Sequence, residues 1–77
     1  MIKVLLFAHL QEVSGRSIIE LDSVPRTVRE LKEQLEESYS LPSLRGTLVS
    51  INEEFARQED FVKSGDVVAL IPPVSGG

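Results

Sequence analysis

The residues best placed to do chemistry are the last two of the run Pro72-Pro73-Val74-Ser75-Gly76-Gly77. A terminal Gly-Gly carries no Cβ, so it bends freely and can thread an opening too narrow for other residues. It would deliver a main-chain carboxylate into a buried site of another protein. Two plainer readings compete, a frayed terminus and a scar of expression. The stretch just upstream favours presentation. Val67, Val68, Ala69, Leu70 and Ile71 form a short, β-branched run that reads as a strand buried on both faces. Pro72 and Pro73 stop it, because neither can donate to a ladder, and they favour an extended exit. The pattern predicts an anchored domain over 1–71 and a flexible tail over 72–77.

Other groups offer little chemistry. His9 stands alone, with no cysteine anywhere in the chain, so its residue types do not suggest a metal site. Asp66 follows Gly65 and reads as a turn residue rather than a base. Glu53 and Glu54 sit at an expected hairpin tip, and adjacency does not place two carboxylates around one substrate. Lys63 lies near the last strand, where it could pair with an acidic group on a partner. Without cysteine there is also no disulfide, thiolate ligand or thiol nucleophile.

The formal charge is −4, from twelve acidic and eight basic residues. Nucleic-acid binding needs a basic, phosphate-neutralising patch, and none is visible. No apolar run approaches the ~20 residues of a membrane helix, and the N-terminal MIKVLLFAHL is strand-like, without a signal-cleavage site. These features predict a cytoplasmic protein that binds neither nucleic acid nor membrane. At 77 residues it makes one small domain with a modest core.

The elements that must position the tail follow from periodicity. Residues 2–7 alternate as a strand, with Ile2, Val4 and Leu6 on one face and Lys3, Leu5 and Phe7 on the other. Ala8 to Ser14 predicts a short helical turn ended by Gly15. Arg16 to Leu21 returns as a strand. Thr27 and Glu30 have capping-box spacing, and Val28, Leu31 and Leu35 make one apolar stripe, so a helix is predicted over 27–38. The pairs Arg29–Glu33 and Lys32–Glu36 are expected on its wet side. Residues 47–51 form a strand, Asn52-Glu53 a turn, and Phe55-Ala56 a short returning strand. Gln58 to Ser64 is expected to be irregular, with Phe61 and Val62 tucked inward.

This order predicts an α+β fold of the β-grasp (ubiquitin-like) type, a mixed four- or five-stranded sheet with one main helix on one face. The last strand would lie beside the first. One helix covers only one face, so Leu5, Phe7, Val67, Ala69 and Ile71, joined by Phe55, are expected on the other as a partner interface. The competing expectation is that these side chains are scattered or covered by loops. Docking by such a patch would aim the tail.

At this point the chain resembles a known family. KVLLFA, TVRELKEQL, LVSIN and the terminal SGDVVALIPPVSGG are together similar to the small subunit of molybdopterin synthase, over essentially the whole length. The final GD-V-A-x-x-PPVSGG block is the specific part. Leu70 and Ile71 depart from it, being aliphatic where family members often carry aromatics. The resemblance implies a sulfur carrier. An ATP-dependent adenylating enzyme would activate the Gly77 carboxylate, and a sulfur donor protein would displace AMP to leave a thiocarboxylate. The tail, with Gly76 beside the reacting end, would insert into the large catalytic subunit and give sulfur to cyclic pyranopterin monophosphate. A heterotetramer is also implied, with no cofactor bound by this chain and ATP used by the activating enzyme. Other readings are a carrier for thiamine thiazole or a tungsten pterin, a ubiquitin-like protein modifier, and a non-catalytic interaction domain.

Overall fold

The computed structural model describes residues 1–72; Pro73, Val74, Ser75, Gly76 and Gly77 lie outside the described residues. Period-2 alternation builds β1 (Ile2–Leu6), which buries Ile2, Val4 and Leu6 and turns Lys3 and Leu5 to the opposite face. Phe7 remains extended and serves as the N-cap of α1 (Ala8–Ser14). Gly15 ends that helix in the left-handed conformation, φ +72°, and its N–H donates to the Gln11 carbonyl. β2 (Ile18–Leu21) starts two residues later than its composition suggests. The reason is local: the Ser14 hydroxyl bonds both the N–H and the carbonyl of Arg16, at 3.1 Å each.

A two-residue β3 (Arg26–Thr27) leads into α2 (Val28–Ser38). The capping box forms as its spacing predicts. Thr27 Oγ1 accepts the Glu30 N–H at 3.1 Å, and Glu30 Oε1 accepts the Thr27 N–H at 2.8 Å. Val28, Leu31 and Leu35 are buried in one stripe. After a loop come β4 (Leu48–Ile51), β5 (Glu54–Phe55), β6 (Phe61–Val62) and β7 (Val67–Ile71). Asn52 and Glu53 join β4 to β5 with φ of +52° and +72°, the paired left-handed residues of a tight hairpin turn.

The main sheet has the order β2-β1-β7-β4-β5, with β1 and β7 parallel and every other pair antiparallel. β3 and β6 form a separate two-stranded ribbon. Its neighbour α2 packs its stripe against Ile2, Val4, Leu6, Ile19, Val49, Val68 and Leu70. This is the β-grasp arrangement. Each fully buried aliphatic side chain contributes about 1.5–3 kcal/mol of transfer free energy, and Val68 and Leu70 hold β7 in the centre at 0% exposure.

Three expectations are corrected. Lys32 is not on a wet face; it is buried, and its ammonium donates to the Thr47 carbonyl at 2.9 Å. Glu36 accepts the Leu44 N–H instead of pairing with Lys32, and the one ion pair among the described residues joins Arg26 to Asp22. Phe61 is 63% exposed while Val62 is fully buried. Residues 61–62 are a strand, and neighbouring strand residues point to opposite faces, so both cannot tuck inward. The returning strand is Glu54–Phe55 rather than Phe55-Ala56, although the Ala56 N–H still reaches the Val49 carbonyl at 2.8 Å.

Candidate functional site

The face of the sheet opposite α2 is built by register. Leu5 stands beside Ile18 on one side and Ala69 on the other, Ala69 beside Ser50, and Ser50 beside Phe55. One residue from each strand thus forms a row across the whole sheet, apolar except at Ser50. The next row towards the end of β7 holds Leu48 opposite Ile71. Phe7, extended beyond β1, continues the same alternation there. The row on the other side is Glu20, Lys3 and Val67. The face is therefore apolar in the middle and where β7 ends, and charged where β7 begins.

Exposure agrees with this placement. Phe55 is 74% exposed, Phe7 46% and Val67 38%, while Leu5, Ala69 and Ile71 are half-buried among their neighbours. All six residues expected at an interface lie on this face. Sequence reasoning missed two more, Leu48 and Ile18, both about half exposed. A signal existed for Ile18, which shares its parity with charged Glu20 while Ile19 and Leu21 alternate inward. LVSI carries no such mark, because Leu48 and Val49 are equally apolar.

β7 is tied down at the end remote from the tail. Asp66 accepts the Lys63 N–H at 2.9 Å and the Asn52 side-chain amide at 3.0 Å. Asn52 in turn accepts the Val67 N–H at 3.0 Å and donates its own N–H to the Val67 carbonyl at 2.8 Å. The Lys63 backbone N–H, then the Asn52 amide and the Lys63 charge, hold the Asp66 carboxyl below its ordinary range. Asp66 is thus a turn residue whose carboxylate is occupied, as its place after Gly65 suggests. At the other end Ile71 is the last strand residue, and Pro72 follows outside the ladder, half-buried. The remaining positions expected to insert or react, Pro73, Val74, Ser75, Gly76 and Gly77, lie outside the described residues. Among the described residues no group of three or more His, Cys, Asp or Glu could hold a metal ion. What the described part offers is an exposed apolar sheet face and a last strand fixed as far as Ile71.

The ThiS family profile matches residues 4–77 of this chain. The sequence is 37% identical to the molybdopterin synthase sulfur carrier subunit of Haemophilus influenzae, over 100% of both chains. Among solved structures it is similar to SAMP1 from Haloferax volcanii, with a TM-score of 0.79, 29% identity and coverage of 99% of this chain and 98% of the other. It is also similar to a chain in the complex of subunits 1 and 2 of the molybdopterin-converting factor from Helicobacter pylori. There the TM-score is 0.64, the identity 26%, and the coverage 99% of this chain and 97% of that one.

Proposed function

The chain belongs to the ThiS family, and we propose that it works as the sulfur carrier subunit of a molybdopterin synthase. The observation that carries this reading is the course of β7. The strand is fastened between β1 and β4, locked at its start by Asn52 and Asp66, and runs beside an exposed apolar face straight to Pro72. Leu5, Phe7, Phe55, Val67, Ala69 and Ile71, with Leu48 and Ile18, dock the carrier on a large catalytic subunit. The Helicobacter pylori complex of two converting-factor subunits supports a partner of that kind. Pro72, Pro73, Val74 and Ser75 then span the entrance to its active site.

The chemistry is assigned to the terminal carbonyl carbon of Gly77. A free carboxylate is a poor acyl donor to sulfur, so its oxygen first attacks the α-phosphate of ATP on an adenylating enzyme and pyrophosphate leaves. Sulfur delivered by a donor protein at the sulfide level attacks the carbonyl carbon, and AMP departs with the electrons of the C–O bond. The resulting thiocarboxylate is a good nucleophile, and the absence of Cβ atoms at Gly76 and Gly77 lets it approach the cyclic pyranopterin monophosphate closely. Acid–base groups and phosphate contacts are left to the catalytic subunit. No described helix is long and apolar enough to cross a membrane, and we assign the carrier to the cytoplasm, where ATP-dependent activation is available.

Intact-mass measurement after incubation with the activating enzyme, ATP and a sulfur source tests the reading. A shift of one oxygen replaced by one sulfur, localised to Gly77, is expected; an unchanged mass overturns it. The similarity to a small archaeal modifier protein favours one second use of the same activated end, its transfer to lysine amines. Higher-mass adducts in cells, lost on deleting Gly76 and Gly77, would mark that use.

A further inference from the structure

Lys32 and Glu36 stand one helical turn apart on α2, and each holds one end of the same turn in the chain. Glu36 Oε2 accepts the Leu44 N–H at 2.7 Å, and Lys32 Nζ donates to the Thr47 carbonyl at 2.9 Å. Between them the Thr47 N–H donates to the Leu44 carbonyl at 3.0 Å, with Gly46 at φ +81° as a type II turn requires. The end of this turn is the start of β4. Its first residue, Leu48, lies opposite Ile71, the last strand residue before Pro72.

The sheet edge explains why a lysine is there. β5 accompanies β4 only along Ile51 and Ser50, with one further bond from the Ala56 N–H to the Val49 carbonyl. The chain then leaves for α2, where the Gln58 and Asp60 carbonyls accept the Arg29 and Val28 N–H groups. In an antiparallel ladder Thr47, two residues before Val49, presents its carbonyl on that same abandoned side. The Lys32 ammonium stands where the missing strand's N–H would be. Burial pushes its pKa down, against the opposing pull of the Glu36 carboxylate. A buried ammonium is a costly donor, which suits a site where no backbone donor is left.

We propose that Lys32 is a positioning residue for the C-terminal tail: with Glu36 it holds Thr47 so that Leu48 keeps Ile71 in the ladder, setting the point at which the tail leaves the sheet. The functional consequence rests on the sulfur-carrier reading. A tail that peels away one rung earlier is longer and less directed, and the catalytic subunit must re-order it on docking. The effect falls on delivery of the tail and not on the chemistry at its end.

Residue-resolved amide exchange on the full chain, with thermal melting of each variant, tests the proposal. Lys32→Met is expected to speed exchange at Ile71 and Leu48 roughly tenfold, about the ordering of one residue, while Val68 and Leu70 follow only the global stability. Lys32→Arg restores slow exchange, since a guanidinium keeps the donor. In turnover of the thiocarboxylated carrier with its catalytic subunit, Lys32→Met raises KM for the carrier by a similar factor at unchanged kcat. Exchange at Ile71 that rises no more than at Val68, or a fall in kcat at unchanged KM, overturns the proposal and leaves Lys32 a purely stabilising residue. If Lys32→Met does not fold, Glu36→Ala decides, because it frees the Leu44 end of the same turn; selective loosening at Ile71 supports the proposal and its absence overturns it. The exchange measurement needs no sulfur chemistry, so a wild-type chain that never gains a thiocarboxylate refutes the carrier reading alone.

Discussion

Asn52 and Asp66 meet at 3.0 Å across fourteen residues of chain, and the contact joins the hairpin after β4 to the first residue before β7. Asn52 thereby fills three roles. It takes a left-handed conformation at φ +52°, donates to the Asp66 carboxylate, and accepts the Val67 N–H. Few side chains can do all three, because asparagine tolerates that conformation while offering both a donor and an acceptor. Asn52→Ala is expected to cost about 1–3 kcal/mol, read as a lower urea midpoint at unchanged m-value.

Acid should loosen the same lock. The folded pKa of Asp66 is lowered, chiefly by the Lys63 N–H, so its contribution is present above the ordinary carboxylate range and lost as pH falls through the folded value. Asp22, lowered first by the Val24 N–H and then by Arg26, adds with the same sign. Urea midpoints measured as pH is taken down from about 5 towards 2 should fall for the wild type. Asp66→Asn should show a shallower fall, with the remainder left to Asp22 and other carboxylates.

Glu53 holds φ +72° on an exposed turn, where an L side chain is strained and glycine is not. Glu53→Gly completes an Asn-Gly hairpin turn. It is expected to stabilise the domain by a few tenths to about 1 kcal/mol, allowing for the greater freedom glycine has in the unfolded chain. Thermal melting would detect this, and a lower melting temperature would contradict it.

Phe55 separates docking from folding. At 74% exposure its ring contributes little to the core, so Phe55→Ala should change stability by no more than about 0.5 kcal/mol. As an aromatic at one end of the five-strand row it is a candidate anchor, and its loss should weaken binding to the catalytic subunit by about 1–2 kcal/mol or more. Calorimetric titration of the two subunits checks this, with Met1, exposed at the other end of β1, as a control position.

Extending the chain by one residue after Gly77 moves the carboxylate and gives it a different neighbour. The extended chain should fold and melt like the wild type yet gain no sulfur with the activating enzyme and ATP. Sulfur incorporation at wild-type yield would mean that the terminal Gly-Gly is not the reacting end.

The local elements were legible because their rules are short-ranged. The Thr27–Glu30 box, the Val28–Leu31–Leu35 stripe, the Gly15 cap and the alternation of Val67 to Ile71 all depend on residues within a turn or two of one another. The exposed apolar face was legible in part for the same reason. Once one face of a strand is apolar inward, its alternate residues must point out, which found Leu5, Phe7, Val67, Ala69 and Ile71. Leu48 escaped because both of its possible faces read as apolar until β4 is paired. Phe61 was misassigned because its two-residue strand is too short to show a period, and its partner at Thr27 is remote in sequence.

By itself, then, the amino-acid order determined a capped amphipathic helix, a buried final strand and an outward apolar set. Tertiary structure alone decided what Lys32 and Glu36 are for. As neighbours on a helix they look like a solvated ion pair, and the four-residue spacing contains nothing to say otherwise. Only when β5 turns away from β4 does the Thr47 carbonyl lose its ladder partner, and the Lys32 ammonium offsets the roughly 1–3 kcal/mol that a buried carbonyl without a donor would cost.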